Sequence, residues 1–185
     1  MKNNFEFVPV HIPVLSDEVI SQFENLAENS RNFFIDCTAG EGGHSLAILK
    51  HFPNSIILSV DRDEEMLDRS RKRLSSFSGR VKFLNCNYSE LDENSLISAG
   101  IPSKVDGILI DAGISMTHFL ESNRGFSIKL DEELDMRFDL SDSLSAKDII
   151  KRYSANDLER IFKEFGEENW AKKIAQTLVE FRKRN

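Results

Sequence analysis

Four short runs of apolar, mostly β-branched or aromatic residues punctuate the first part of the chain: Asn32–Cys37, Ser55–Asp61, Val81–Asn85 and Val105–Asp111. Runs of this length and character fit strands buried on both faces of a sheet. Between them, His44–Phe52, Asp63–Phe77 and Ser89–Ala99 carry helical patterning. Leu46, Ile48 and Leu49, and then Met66, Leu67 and Leu74, are apolar positions set among polar neighbours, the arrangement that gives a helix one core-facing stripe. Strand and helix alternate, which predicts an α/β fold with a mostly parallel sheet covered on both faces. In such sheets the ligand crevice lies at the carboxyl ends of the strands, so functional residues are expected just after each apolar run.

The pattern changes beyond Asp111. Gly113 to Leu140 has several charges and no clean period, and it is longer than a plain connection requires, so it reads as a functional loop. Ser145 and Ser154 look like N-caps. Helices follow on Ala146–Tyr153, on Ala155–Phe165 with Gly166 as its stop, and on Glu167–Arg184. The expected organisation is therefore a sheet domain over residues 1–113 and a loop with a helical module over residues 114–185. Neither internal repeats nor low-complexity stretches are present.

Composition narrows the class. The 185 residues suit one main domain, and a 40% hydrophobic, 30% charged composition is that of a soluble globular protein. No stretch approaches the ~18 apolar residues of a membrane helix, and Met1 to Pro13 lacks the features of a secretory signal. Cys37 and Cys86 have neither a CxxC partner nor paired histidines nearby, which argues against a disulfide framework and a zinc site. These features point to a cytoplasmic protein with no metal and no membrane partner. The net charge of −7 weighs against nucleic-acid binding by charge alone. The basic clusters at Arg69–Arg73 and Arg182–Arg184 lie in helical segments, where such charges usually solvate an exposed face.

The first apolar run ends in Asp36-Cys37-Thr38-Ala39-Gly40-Glu41-Gly42-Gly43-His44, a glycine-rich turn that leads straight into a helix. Backbone there can approach a ligand closely and point its amides outward. About twenty residues on, Asp61 ends the second run, where a carboxylate can accept both hydroxyls of an adenosine ribose. Dinucleotide-binding enzymes share this pair, but the third glycine of their fingerprint is replaced by Ser45. A Walker-type phosphate loop is excluded more plainly, since no GK[ST] follows the turn.

Five segments in order make a more specific pattern: Gly40-Glu41-Gly42-Gly43-His44-Ser45, Val60-Asp61-Arg62-Asp63, Asp106-Gly107-Ile108-Leu109-Ile110-Asp111, Arg124-Gly125-Phe126-Ser127 and Leu134-Asp135-Met136-Arg137. Together they resemble the RsmH/MraW family, and the likeness extends from His11-Ile12-Pro13-Val14-Leu15 through Phe165-Gly166-Glu167-Glu168 to Arg182. The resemblance implies a Rossmann-like methyltransferase sheet with an inserted helical substrate domain. It further implies S-adenosylmethionine as cofactor and methylation of N4 of a cytidine in the decoding region of small-subunit ribosomal RNA. The partner would be that RNA or the assembled small subunit, and a homodimer is compatible with the sequence.

Carried over residue by residue, the resemblance implies that Gly42, Gly43 and His44 line the methionine end of the cofactor, Asp61 the ribose and Tyr88 the adenine. Asp111 would lie near the transferable methyl and act as the catalytic carboxylate, with His118 as a further cofactor contact. Arg124, whose fork suits phosphate or carboxylate, and Phe126, which can stack on a base, are substrate candidates. For Phe126 a core role is an equal alternative, and for Arg124 the alternative is a surface ion pair with Glu121 or Asp131. Leu134-Asp135-Met136-Arg137 reads more as a brace for its loop than as an RNA contact.

The chain also departs from the family pattern. Tyr88 replaces a usual phenylalanine, His118 a usual glutamine, and Glu132-Glu133 a Gly-Pro, while Met116–Leu120 diverges from the usual loop. The resemblance also implies a longer chain that returns after the helices to complete the sheet, so both domains are expected to be C-terminally incomplete. A methyltransferase acting on another RNA base or a small molecule, and a non-catalytic cofactor-binding remnant, are the alternative readings.

Overall fold

The computed structural model describes residues 13–26 and 30–184; His11 and Ile12, where the family likeness begins, lie outside them. The chain forms two compact units, Met1–Ile114 and Ser115–Asn185. In the first, helix α1 (Ser16–Ser21) precedes the alternation β1 (Phe33–Asp36), α2 (Gly43–His51), β2 (Ile56–Asp61), α3 (Glu64–Arg73), β3 (Val81–Asn85), α4 (Glu93–Ser98) and β4 (Gly107–Leu109). The four strands make one sheet in the order β3-β2-β1-β4, and every pair is parallel. This is the expected Rossmann-like α/β arrangement. The chain winds outward from β1 to β3, then returns to the other side of β1, which places the topological switch point between β1 and β4.

Period-2 alternation distributes the strand residues between two cores. Phe34 and Ile57 join Ile48, Leu49, Phe52 and Leu74 on one face. Ile35, Cys37, Leu58 and Val60 join Ile101 on the other. Most of these side chains are almost fully buried, and each contributes about 1.5–3 kcal/mol by leaving water. At β4 the sheet approaches its neighbours closely. A Cβ at Gly107 would stand 2.6 Å from Phe23 Cε1 and 2.8 Å from Phe34 Cδ1, so only glycine fits without displacing an aromatic ring.

Helix ends follow the local chemistry. The Asp63 side chain accepts from Glu65 N and Met66 N and starts α3, with Glu64 and Glu65 in its first turn and Arg71, Lys72 and Arg73 in its last, as the helix dipole favours. Arg71 pairs with Glu64 and Asp68 of its own helix, so that residue of the basic run serves the helix surface. Arg80 donates to Leu49 O and Phe52 O, satisfying carbonyls at the end of α2.

The segment expected as one helix over Ser89–Ala99 is two pieces. Asn87 caps a single 3₁₀ turn, Tyr88–Glu90. Asp92 and Ser95 then form a reciprocal capping box that starts α4 afresh. Two caps five residues apart outweigh the apolar periodicity.

The second unit holds α5 (Met116–Leu120), α6 (Ala146–Arg152), α7 (Ala155–Glu164) and α8 (Ala171–Arg184). Ser145 and Ser154 cap α6 and α7 as expected, while α5 is an unforeseen helix within the long loop. Gly166 ends α7, though not by adopting the left-handed conformation. That falls to Glu167 (φ 49°), and Gly166 is needed because a Cβ there would meet Phe162 O at 2.8 Å. Glu168 then accepts from Trp170 N, which delays α8 to Ala171.

Candidate functional site

The crevice at the switch point is built from the segments just past β1, β2 and β4. After β1 the chain turns through Gly40 (φ 50°) and Gly42 (φ 79°), left-handed conformations that cost other residues about 1–2 kcal/mol. Gly42 is doubly constrained, because a Cβ there would lie 2.6 Å from Ser70 Oγ of α3. Gly43 then opens α2, so the unpaired amides of the helix's first turn face the crevice side of the sheet.

The turn is locked to its neighbours. Gly40 N donates to Asp61 Oδ2 at 2.7 Å and Asp63 N to Asp61 Oδ1 at 2.9 Å. Ala39 N donates to Val60 O. Asp61 is thereby fixed at the mouth of the crevice, half-buried. Each of its oxygens has a second lone pair, so a ribose diol would share the carboxylate with these amides. Tyr88, in the turn just past β3, is 43% exposed.

Across the switch point, Asp111 follows β4. Its backbone N donates to Thr38 Oγ1 at 2.7 Å, and its Oδ2 stands 3.3 Å from His44 Nε2. The His44 side chain is 7% exposed and that of Asp111 is 55% exposed. His44 Nδ1 is buried and without a hydrogen-bond partner among the described residues. A buried imidazole nitrogen left open costs free energy unless a ligand or water meets it, so the crevice is chemically prepared for a polar group beside His44. These residues fit a nucleoside carrying an amino-acid tail: glycine backbone and His44 for the tail, Asp61 for the ribose, Tyr88 for the base. Under the turn, Asp36 is completely buried and accepts from Ser45 Oγ at 2.7 Å, which also meets Ser59 Oγ at 2.8 Å. Burial pushes the Asp36 carboxyl above the usual carboxylate range, against the opposing pull of Ser45 and Thr38.

Gly42, Gly43, His44, Asp61 and Asp111 are thus brought together within the first unit. His118, Arg124 and Phe126 gather in the second. His118 is buried at 4% exposure, with its ring edge-on to Phe126 (5.3 Å) and Phe138 (5.1 Å). Its Nδ1 accepts from Ser115 N at 3.2 Å and meets Ser115 Oγ at 2.8 Å, closing the capping box of α5. Arg124 is 6% exposed, and its Nη1 donates to the carbonyls of Arg137 and Phe138.

Phe126, 8% exposed, takes the core alternative rather than that of a free stacking ring. Asp135 and Arg137 form a two-pronged pair, and Arg137 also donates to Leu140 O and Asp142 O, the bracing role expected of that motif. Glu132 accepts from Gly125 N at 2.8 Å, so this acidic substitution secures the turn. Sequence reasoning missed Thr38, Asp36, Ser45 and Phe138. A polar residue at each end of the glycine turn was the available signal for the first three.

A parallel sheet with a glycine-rich turn, an acidic residue after β2 and a carboxylate at the switch point defines a Rossmann-like α/β domain. The sequence profile of the MraW methylase family matches residues 9–185, and the chain belongs to that family. Among its relatives, ribosomal RNA small subunit methyltransferase H of Leptospira interrogans is 46% identical over 100% of this chain and 55% of its own length. That of Leptospira borgpetersenii is 47% identical over 96% of this chain and 56% of its own. The chain therefore spans little more than half the length of these relatives. Among solved structures, P. horikoshii TYW2 in complex with MeSAdo aligns with 56% of this chain and 46% of its own at 12% identity and a TM-score of 0.38, a likeness too partial to bear on the site. No described helix is long and apolar enough to cross a membrane, and no group of His, Cys, Asp or Glu suited to a metal occurs among the described residues.

Proposed function

We propose that the chain is the cofactor-binding part of an S-adenosylmethionine-dependent methyltransferase that modifies N4 of a cytidine in the decoding region of small-subunit ribosomal RNA. The supporting observation is the meeting of His44 and Asp111 across the switch point, beside the glycine turn and Asp61. Relatives named for small-subunit ribosomal RNA methylation support the acceptor. When bound, S-adenosylmethionine supplies a methyl group already activated by a sulfonium.

The residues of the chain then have to bind, align and exclude water. Gly42, Gly43 and His44 would hold the amino-acid tail, Asp61 the ribose and Tyr88 the adenine. Cytosine N4 is a weak nucleophile because its lone pair is shared with the ring. Asp111 accepts an N–H hydrogen bond from it and favours the pyramidal form. With the cofactor held there, its activated methyl would be the group that the N4 lone pair takes, the sulfonium leaving as a neutral thioether. The surplus proton on nitrogen passes to Asp111 and on to water. His118, Arg124 and Phe126 serve as the frame that shapes the acceptor-side loop.

The test is transfer of labelled methyl to small ribosomal subunits lacking their own modification, followed by nucleoside analysis. Label in N4-methylated cytidine supports the reading. Label in another nucleoside shifts the assignment to a different base. No label alongside calorimetric binding of the cofactor would make the chain a binding module. Asp111→Asn is expected to lower kcat by about a hundredfold, and full turnover by that variant would remove Asp111 from the mechanism.

A further inference from the structure

An exposed carboxylate just past an edge strand ordinarily samples several rotamers, and ordering it costs entropy. Asp111 is held at two points. Its backbone is tied to Thr38 Oγ1 at 2.7 Å, and its Oδ2 meets His44 Nε2 at 3.3 Å. The anchors come from the turn after β1 and the first turn of α2, 73 and 67 residues away along the chain. Thr38 is itself fixed there by donating its amide to buried Asp36, and His44 is held in the interior by its burial. With Oδ2 engaged, Oδ1 has no hydrogen-bond partner among the described residues.

We propose that Thr38 and His44 are positioning residues that aim Asp111. Thr38 fixes its backbone and His44 one of its oxygens, so that Oδ1 is presented in a single direction to the amine of the acceptor. The inference rests on the methyl-transfer reading for its purpose, while the clamp is a property of the unliganded chain. With Nε2 donating to Asp111, Nδ1 is the ring's acceptor, and it is buried with no hydrogen-bond partner among the described residues.

The experiment compares Thr38→Val, Thr38→Ser and His44→Gln with the parent chain in two measurements. In the unliganded proteins, NMR reads hydrogen exchange of the Asp111 amide and the couplings that report its side-chain rotamer. Exchange is expected to quicken about tenfold in Thr38→Val and to return in Thr38→Ser, and the single Asp111 rotamer to become averaged in His44→Gln. In the methyl-transfer assay, Thr38→Val is expected to lower kcat about tenfold, with cofactor Kd held within about twofold and Thr38→Ser recovering the rate.

Equal amide exchange in the parent and Thr38→Val, or an averaged Asp111 rotamer in the parent, overturns the clamp whatever the activity. Methyl transfer at the parental kcat in Thr38→Val overturns its purpose and leaves the methyltransferase reading standing. A parent that transfers no methyl removes that reading, and the NMR measurements still decide the clamp.

Discussion

Asp36 shows how much of this site is carried by residues that touch no ligand. Its carboxyl is fully buried and its proton affinity raised, with burial as the largest cause and hydrogen bonds from Ser45 and Thr38 opposing. The folded chain therefore binds more protons than the unfolded chain once pH rises above the ordinary value of 3.8. Stability from this group is fully present below that value and declines as pH climbs toward the raised folded value. Asp36→Asn removes the ionisation and keeps an acceptor for Ser45. In urea denaturation from about pH 4 upward, the parent is expected to lose stability relative to Asp36→Asn as pH rises. Parallel curves would refute a raised affinity. The neighbouring thiol Cys37 is likewise pushed up to about 11, mainly by burial, so it should resist alkylation at neutral pH.

At the scale of elements, strand and helix order was legible because apolar runs and caps are local signals. All four strands fall inside the segments the pattern marked, and Ser145 and Ser154 cap where they were expected. What stayed hidden depended on contacts distant in sequence. The interior position of Arg124 could not be read from Arg-Gly-Phe, because the carbonyls it serves belong to Arg137 and Phe138. The role of Thr38 depends likewise on Asp111.

The second unit's long loop thus has an identifiable brace. Arg124→Ala is expected to destabilise that unit by about 2–3 kcal/mol, the scale of lost charge-assisted hydrogen bonds. Faster amide exchange confined to residues 124–138 would mark it. Unchanged protection across that stretch would show that the aromatic cluster of His118, Phe126 and Phe138 holds the loop alone.

For the molecule as a whole, large apolar side chains among the described residues of the sheet are exposed at β4 and just after it. Ile108 in β4 and Ile110 just past it are 58% and 53% exposed. A parallel edge of this kind invites association with other chains. Sedimentation of the unliganded chain is expected to show concentration-dependent association, and Ile108→Lys to reduce both that and the binding of a hydrophobic dye. Equal association in the two proteins would exonerate β4.

The strand order also has a temporal consequence. β1, β2 and β3 are neighbours in space in the sequence in which they are made, so a nascent chain can zip them together as they emerge. Thr38 must wait for Asp111 across 73 residues, roughly 4–15 s of translation at ordinary elongation rates. A ribosome stalled before β4 would thus display a paired three-stranded core whose glycine turn is already shaped but whose partner carboxylate, Asp111, has yet to be synthesised.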